Sequence, residues 1–493
     1  MPSNRPSCVV IGAGLAGLAA AYRLTQKQCR VTVLEASDRL GGRVLSQRFH
    51  QAPHLVCELG GEWIGRDHRE MRRLCSIFDL ELIRHQYSLA FWHQNGKLKR
   101  YKPTAWVFSK KSQARFQALR QLYLKYEREG NRSLDDLDWW TVLSNCGFDR
   151  QELLKRDLMD STDFGESIRQ TSAYVAAGEY FGDEGTPEIQ TDEMDDKIDG
   201  GNDRLIGKLT NAIGRENIQT NFEVTEIHQT ISSVVVRGRA EHRRDGKDRN
   251  SGTSREVKAD FCICAIPSHW LPRIRWTPVP TDHLRAARRL QYARITKTAV
   301  LCRERFWRPD PQSGFSVFTS LASDFCFDST HGQKDTNGNM GILCSYAVGD
   351  KADDIASSPL KALGQWITGD VATALRLPKN DATKRVTHPL DVRRQAWQAD
   401  RFTGGAYAFY RPGQWFTVRP ALMRSFGRVY FAGEHIAEEQ GFMEGAVVTG
   451  RIAAENVILV ATSQRKLRRL EKVRPWRGIF RWPDRPSKGK QES

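Results

Sequence analysis

The sequence predicts an α/β protein of two lobes, one of them built on a discontinuous parallel sheet of the dinucleotide-binding kind. A glycine-rich turn joins an apolar strand to a helix near the N-terminus, and two later apolar segments are typical of further buried strands. The chain has 493 residues. Since single hydrophobic cores stop growing at roughly 250–300 residues, this length predicts more than one lobe.

The first element is a strand, a glycine turn and a helix. Residues 8–11 are an apolar strand, and the turn that follows carries Gly12, Gly14 and Gly17. In such a unit the first glycine makes the tight turn, the second lets the backbone approach a pyrophosphate, and the third lets helix and strand pack closely. Glu35 ends the second strand, where a carboxylate accepts hydrogen bonds from ribose hydroxyls. The unit predicts nucleotide binding.

A second glycine cluster, Gly41-Gly42-Arg43, comes directly after this unit. Adjacent glycines allow further backbone contact with a bound cofactor, and Arg43 offers a cation for its phosphates.

The middle of the chain predicts an inserted lobe. Residues 66–195 are polar and predicted helical, most clearly over 66–78 and 112–130. A helix is expected over 203–213, and a solvated loop over 239–258. Short strands are predicted at 218–221, 224–227 and 234–237. Residues 261–267 form a buried strand that we expect to return to the nucleotide sheet.

The far end of the chain predicts one more strand, a glycine turn and a helix. Residues 428–431 are a strand that runs into a glycine turn containing Gly433 and Glu434. Residues 441–446 then open a helix that continues to residue 458. The helix N-terminus favours negative charge at its first residues.

Together these segments resemble the FAD-dependent amine oxidase superfamily, which includes monoamine oxidases, polyamine oxidases and L-amino-acid oxidases. The resemblance implies the two-lobed flavin amine oxidase fold: a Rossmann-like FAD-binding domain interleaved with an α+β substrate-binding domain that carries a helical insertion. We assign the FAD-binding domain to residues 1–80, 195–285 and 420–460. The substrate-binding domain takes residues 81–194 and 286–419, and a basic tail takes 461–493.

The resemblance also implies the cofactor contacts. Residues near the ADP half, the ribityl chain or the flavin ring would be Gly12, Gly14, Gly17, Glu35, Gly42, Arg43, Gly60, Gly61, Glu62, Val224, Trp397, Gly433, Glu434, Phe442 and Met443. Monoamine oxidases carry a cysteine that attaches FAD covalently where this chain has Ala406. FAD is therefore expected to bind noncovalently. No metal ligands are predicted.

Three positions match residues that face the substrate in the superfamily. Tyr407 and Phe442 correspond to two aromatic rings that flank the substrate nitrogen, and parallel rings orient an amine while excluding water. Lys297 resembles the lysine that holds a water at flavin N5. Its apolar neighbours argue against an idle surface lysine, because burying an unpaired ammonium is unfavourable.

The implied reaction is oxidative deamination by hydride transfer to flavin N5, with reoxidation by dioxygen giving hydrogen peroxide. Glu62 follows the glycine pair where many L-amino-acid oxidases have Met-Arg, so a substrate with a second cationic group is predicted. Arginine or lysine and a diamine or polyamine stay open as substrates. A purely structural role, in which Glu62 contacts only backbone or water near the flavin, also stays open.

Two other classes of protein stay open. One is a flavin desaturase or dehydrogenase of the phytoene-desaturase or protoporphyrinogen-oxidase type, which shares the glycine motifs but handles apolar substrates. The other is a flavin-binding protein without catalytic activity. The aromatic pair and Lys297 count against the desaturase.

Charge and composition limit the partners and the location. Lys and Arg number 75 against 58 Asp and Glu, and residues 461–493 hold 11 of the bases and three of the acids. This tail is predicted to be a solvated arm or to contact an anionic surface peripherally; no nucleic-acid motif accompanies it. The N-terminus lacks the apolar run of a secretory signal, and no stretch of about 18 apolar residues predicts a membrane span. We expect a cytoplasmic protein, with a homodimer and membrane-peripheral binding as open alternatives.

Overall fold

The computed structural model confirms the predicted α/β class, since helices pack on both parallel and antiparallel sheets. The residues that it describes are 5–85, 87–101, 108–181, 195–240, 253–307, 313–333, 339–438 and 440–466. The strands are β1 (Ser7–Ile11), β2 (Arg30–Leu34), β3 (Ser46–Phe49), β4 (Ala52–Glu58), β5 (Leu82–Arg84), β6 (Leu89–Gln94), β7 (Lys97–Tyr101), β8 (Asp196–Ile198), β9 (Ile218–Gln219), β10 (Phe222–Gln229), β11 (Val234–Ala240), β12 (Thr253–Ala259), β13 (Phe261–Cys264), β14 (Arg275–Thr277), β15 (Gln291–Tyr292), β16 (Ile295–Cys302), β17 (Phe315–Thr319), β18 (Phe325–Asp328), β19 (Gly341–Val348), β20 (Pro389–Ala396), β21 (Ala408–Phe409) and β22 (Val429–Phe431). The helices are α1 (Leu15–Gln26), α2 (Arg69–Ile77), α3 (Lys110–Glu129), α4 (Trp139–Asn145), α5 (Arg150–Phe164), α6 (Ala173–Phe181), α7 (Asp203–Ile213), α8 (Thr281–Arg289), α9 (Gly349–Ser357), α10 (Leu360–Ala374), α11 (Asp381–Val386), α12 (Arg419–Met423) and α13 (Met443–Lys466).

A five-stranded parallel sheet organises the nucleotide lobe, in the order β22-β13-β1-β2-β9. The strand that was expected to return to this sheet, β13, lies beside β1, and β22 lies beside β13, each in parallel register. All four residues of β13 are buried, because the sheet is covered on both faces. One face packs against α1, α7 and α13, and the other against the small sheet β12-β11-β10-β14.

A seven-stranded sheet organises the second lobe, in the order β20-β16-β19-β18-β17-β6-β7. Its neighbours are antiparallel except β6 and β17. Side chains alternate along β16: Val300 packs in the cluster that includes α9 and α10, while Ala299 and Leu301 pack on the opposite face. Lys297 shares the face of Ala299 and Leu301 because side chains two apart on a strand point the same way. This alternation aims the lysine into the interior of the molecule.

Two predictions about local structure were wrong. The segment 66–195 is not helical throughout, since strands β5, β6 and β7 lie inside it. Strands β5 and β6 pair with β8 and β17, partners more than 100 residues later, which no local pattern reveals, whereas β7 pairs with the adjacent β6. The predicted loop at 239–258 is shorter, because β11 extends to Ala240 and β12 begins at Thr253. Residues 241–252 lie outside the described part of the chain.

Helix α13 joins the two ends of the chain. It packs along α1, and a Cβ at Gly450 would lie 2.2 Å from the carbonyl oxygen of Ala16. Glycine at this position therefore permits the close approach of the two helices. One described helix segment, Met443–Ser463, is long and apolar enough to span a membrane by length and composition alone, although Glu444, Arg451 and Glu455 interrupt its apolar run. Its Ala453, Ala454 and Val457 are buried against the nucleotide lobe, so it is a core helix.

The domain boundaries drawn from the sequence stay a prediction. The sheets nevertheless show how the chain alternates between lobes: the parallel sheet takes strands from residues 7–34, 218–264 and 429–431, and the seven-stranded sheet takes them from 89–101, 295–348 and 389–396. The basic tail beyond residue 466 lies outside the described residues.

Candidate active site

The glycine turn forms a cradle at the N-terminus of α1. Gly12 has a φ of +96°, a conformation that glycine adopts without strain. A Cβ at Gly17 would lie 2.0 Å from the carbonyl oxygen of Gly12, so only glycine lets the helix pack on the turn. At Gly14 the nearest atom to an added Cβ is the Cα of Gly42, at 3.9 Å. This open side beside a helix N-terminus fits a bound phosphate.

Glu35 lies at the edge of the same cradle. Its Oε2 accepts a hydrogen bond from the Ala13 amide at 2.7 Å, and its Oε1 accepts one from the Ser37 amide at 2.9 Å. These bonds fix the carboxylate while leaving lone pairs for other donors. The predicted ribose contact is compatible with this position.

One continuous cavity of about 530 Å³ connects this cradle to the second lobe. The sequence-predicted residues that line it are Gly12, Gly14, Glu35, Gly42, Arg43, Gly60, Gly61, Glu62, Val224, Lys297, Trp397, Tyr407, Gly433, Glu434, Phe442 and Met443. Gly17 alone of the predicted set does not line it, because it packs against Gly12 instead. The structure thus brings together residues from both ends and the middle of the chain.

Arg43 and Glu434 form an ion pair in the wall of the cavity. Arg43 Nη1 lies 2.7 Å from Glu434 Oε1, and Glu434 also accepts from the amides of Ala408 and Gly441. The sequence predicts Arg43 as a cationic partner for the cofactor phosphates, and this stays a prediction. The structure adds that Glu434 balances the charge of Arg43.

Two aromatic residues lie at the far end of the cavity. Gly441, beside Phe442, packs on the Tyr407 ring, where an added Cβ would come within 2.9 Å of a ring carbon. The Tyr407 hydroxyl reaches the carbonyl oxygens of Thr162 and Asp163, at 2.7 and 2.5 Å. The phenol is thereby held by helix α5, and its ring lines the cavity.

Lys297 is buried and fully hydrogen-bonded. Its Nζ donates to the carbonyl oxygens of Glu58 and Gly60, both at 3.1 Å, and to Glu62 Oε2 at 2.8 Å. Burial opposes the charge, but Glu62 outweighs it and raises the pKa of Lys297 above its ordinary value. An ammonium has three donors. All three have protein acceptors in this structure, and the water-holding role of Lys297 stays a prediction.

Glu62 is also surrounded by basic side chains of the protein. Its side chain has no exposed surface, and besides Lys297 it faces Lys197 Nζ at 3.7 Å and His85 Nε2 at 3.9 Å. Burial and Lys197 lower the pKa of His85 well below its ordinary value, so that ring is neutral. The contact between Glu62 and a substrate cation stays a prediction, while in the structure two lysines of the protein already face the carboxylate.

The sequence missed the acidic side chains at the substrate end. Asp163 on α5 and Glu179 on α6 line the cavity, and Tyr180 donates a hydrogen bond to Asp163 Oδ2 at 2.8 Å. Enclosure raises the pKa of Asp163 to about 8, and nearby Asp160 adds to the effect. Both acids lie in the helical insertion, where nothing local in the sequence distinguishes them from surface charges.

The acidic side chains at the start of strand β8 are buried. Asp195 and Asp196 are buried, and they pair with Arg66 and Arg72 at 2.9 and 2.5 Å. These pairs fix strand β8, from which Lys197 points towards Glu62. Glu188, Asp192 and Glu193 lie outside the described residues.

The residues present fit a flavin dinucleotide. The cradle offers a helix N-terminus and an open glycine, the Arg43–Glu434 pair follows it, and Met443 starts α13 at the cavity wall. Ala406 provides no nucleophilic side chain there. The arrangement can hold a long, two-part cofactor and leave an aromatic, acid-lined chamber beyond it.

Comparison with known proteins agrees with this arrangement. The model of the flavin containing amine oxidoreductase family matches residues 15–458. An L-amino-acid oxidase of Crotalus adamanteus is 28% identical over 477 residues, covering 92% of this chain and 87% of that protein. An L-amino-acid oxidase of Echis ocellatus is 28% identical over 478 residues, covering 92% and 89%.

Two solved structures share the fold. Putrescine oxidase bound to putrescine superposes with a TM-score of 0.77 at 21% identity, covering 92% of this chain and 99% of that one. Cyclohexylamine oxidase from Brevibacterium oxydans superposes with a TM-score of 0.77 at 20% identity, covering 94% and 100%.

Proposed function

The chain belongs to the family of flavin-containing amine oxidoreductases, and from that premise we propose that it is an FAD-dependent oxidase of small diamines or polyamines. The observation that carries the proposal is the single cavity that runs from the glycine cradle to an aromatic and acidic chamber. Family membership makes the protein a flavoprotein that acts on a small-molecule amine with dioxygen. The particular flavin, the mode of attachment and the substrate are the proposal.

FAD is the flavin that the cradle supports. A glycine turn at a helix N-terminus suits a pyrophosphate, and Glu35 suits a ribose, so a dinucleotide is expected rather than a mononucleotide. Ala406 lines the cavity without a thiol, which favours noncovalent binding. When bound, the flavin would take the hydride from the amine carbon and pass electrons to dioxygen, with hydrogen peroxide as product.

The chain itself positions the amine. Tyr407 is fixed through its hydroxyl by helix α5, and Phe442 packs edge-on against His68 with ring centroids 5.1 Å apart. Rings held in this way orient a neutral amine, exclude water and tolerate cationic character at the nitrogen. No described side chain at this end forms an acid-base dyad with Tyr407, so positioning and desolvation would supply most of the catalysis.

The charges in the cavity favour a substrate with a second cation and no carboxylate. Among the described residues that line it, Arg43 and Lys297 are the cationic ones, and each is paired with a carboxylate, at 2.7 and 2.8 Å. A substrate carboxylate would lack a free cation to bind. Asp163, by contrast, is accessible inside the cavity next to Tyr407. It suits a distal ammonium group.

L-Amino-acid oxidation is the second candidate, because the relatives of Crotalus adamanteus and Echis ocellatus are L-amino-acid oxidases. A basic amino acid such as lysine would satisfy Asp163 as well as a diamine does. The two candidates differ in the carboxylate alone.

A peroxide assay over matched substrates tests the proposal. Cadaverine and L-lysine differ by one carboxylate, as do putrescine and L-ornithine, and pentylamine lacks the second cation. We expect kcat/KM to fall in the order cadaverine, pentylamine, L-lysine. Turnover of L-lysine above cadaverine would establish the second candidate, and turnover of none of these by the FAD-loaded protein would refute both.

A further inference from the structure

Lys197 is a second buried lysine beside the candidate active site that the proposed chemistry does not use. It lies on strand β8, and its side chain is 3% exposed. Its Nζ donates to the carbonyl oxygen of Ser329 at 2.6 Å and lies 3.7 Å from Glu62 Oε1. A buried ammonium is unfavourable without a compensating negative charge, and Glu62 is the carboxylate that it faces.

Glu62 is divided between two lysines. Its Oε2 takes a hydrogen bond from Lys297, whereas its Oε1 is buried and has no hydrogen-bond partner among the described residues. The groups nearest to Oε1 are Lys197 and the neutral His85. Two lysines thus share the Glu62 carboxylate in a buried place, with Glu58 as a second acidic group near the cluster.

We propose that Lys197 is a positioning residue that acts on Lys297 through Glu62, by drawing one carboxylate oxygen away from the Lys297 ammonium and weakening the hold on its proton. The proposal rests on the proposed function only in that Lys297 lines the cavity assigned to the flavin. The geometry of the three charges is independent of it.

The surroundings of Lys297 leave few other groups to set its charge. Rings of Trp63, Phe327 and Tyr346 lie 5.1 to 5.8 Å from its Nζ and favour the ammonium. The remaining titratable groups near the cluster are Glu58, Cys57, Cys344, Tyr87, His85 and Lys197. Burial raises the pKa of Glu58 to about 7, and burial keeps His85 neutral. Lys197 is therefore the other basic side chain that faces Glu62.

Removing each partner should move Lys297 in opposite directions. Lys197→Met removes a like charge and leaves Glu62 wholly to Lys297, so Lys297 should lose its proton at higher pH. Glu62→Gln leaves the two lysines with Glu58 as the remaining carboxylate near the cluster and removes the acceptor at 2.8 Å from Lys297, so one of the lysines should lose its proton at lower pH. A purely structural lysine would destabilise the fold without producing these opposed shifts.

Two measurements read the effect. The first is the pH dependence of the rate at which dioxygen reoxidises the reduced holoenzyme. We expect Glu62→Gln to bring an alkaline limb down into the measurable range, and addition of Lys197→Met to that variant to move the limb back up by about one pH unit or more. Lys351→Met is the control. It breaks a different lysine–carboxylate pair, in which Lys351 Nζ lies 2.7 Å from Asp324 Oδ1, and neither residue lines the cavity. It should leave the limb where it is.

The second measurement needs no flavin. Thermal unfolding of the apoprotein is followed from pH 7 to 10 and compared with the unmodified chain. Glu62→Gln should gain stability as the pH rises, because neutralising an unpaired buried ammonium relieves repulsion, and adding Lys197→Met should reduce that gain. Lys197→Gln, which keeps a donor for Ser329, replaces Lys197→Met if the latter does not fold.

The outcomes separate the two proposals. An unchanged limb and parallel unfolding curves when Lys197→Met or Lys197→Gln is added to Glu62→Gln would overturn the role of Lys197. Opposed pH effects in the apoprotein together with no amine turnover would support it and refute the proposed oxidase instead.

Discussion

The two ends of the cavity are built in different ways. The cradle comes from one stretch of chain, where Gly12, Gly14 and Gly17 follow one another and Glu35 ends the next strand. The substrate end assembles Tyr407 with Asp163, which lie 244 residues apart. A site made by neighbours in sequence is set by backbone geometry, whereas one made by distant segments is set by charge balance. Each prediction below tests one side of this contrast.

The largest effect is expected in the cradle. Gly17→Ala would place a methyl group 2.0 Å from the carbonyl oxygen of Gly12, so helix and strand must separate. We expect a loss of roughly 3 kcal/mol or more in the free energy of unfolding, together with loss of bound flavin, measured by denaturant titration and visible absorbance. Gly207→Ala on α7 is the control, because an added Cβ there meets nothing within 4 Å. It should stabilise the helix by up to about 1 kcal/mol. Equal effects of the two substitutions would contradict the cradle.

The next effect concerns the buried charges. Lys297→Met leaves Glu62 buried with only Lys197 nearby, at 3.7 Å. Breaking a buried ion pair from one side costs about 3–5 kcal/mol, which denaturant unfolding of the apoprotein measures. In the holoenzyme the sequence interpretation predicts slower reoxidation than reduction in stopped-flow experiments. A stable Lys297→Met protein in which the two half-reactions slow equally would count against both the pair and the predicted role.

A smaller and more selective effect is expected at Asp163. Asp163→Asn removes the charge but keeps the backbone carbonyl that holds Tyr407. It should raise KM for cadaverine by about 10–100-fold, as expected for a lost charge-assisted contact of about 1.5–3 kcal/mol, and leave pentylamine nearly unchanged. Tyr180→Phe is the matched control, since it removes the hydroxyl donor to the carboxylate and spares the charge. Equal losses for both amines would refute the selective role.

The pH dependence of the same contact follows from its pKa. Because enclosure raises the pKa of Asp163 to about 8, the carboxylate is mostly protonated at pH 6 and ionised above pH 8 in the free protein. A dicationic ligand should therefore bind more tightly as the pH rises from 6 to 8, and its binding should lower that pKa. Calorimetric titration with a diamine at several pH values measures the effect. In Asp163→Asn this slope should vanish.

The smallest effect is expected at the attachment of the cofactor. Acid precipitation should release all flavin into the supernatant with the spectrum of free FAD, because Ala406 has no thiol. Flavin that stays with the precipitated chain would contradict noncovalent binding.

The contrast also explains what the sequence could predict. The strand, turn and helix of the cradle follow local rules, so the glycines, Glu35, β13 and β22 were located from the sequence alone. The aromatic pair and Lys297 came from resemblance. The partners of Lys297 and Glu62 could not be predicted from the sequence. Glu62 and Lys197 are 135 positions apart, and their pairing depends on how the two sheets pack together. Local patterns also gave no sign that Asp195 and Asp196, next to Lys197, are buried rather than solvated.

The packing of α13 on α1 through Gly450 has a consequence for how the protein folds during synthesis. The glycine cradle is synthesised early. Its wall, however, is completed by Met443, and its helix α1 packs against α13, which is synthesised near the end of the chain. During synthesis the nascent chain therefore carries half a binding site for most of its length. Cofactor capture should be a late event, and chains released before Gly450 should emerge colourless.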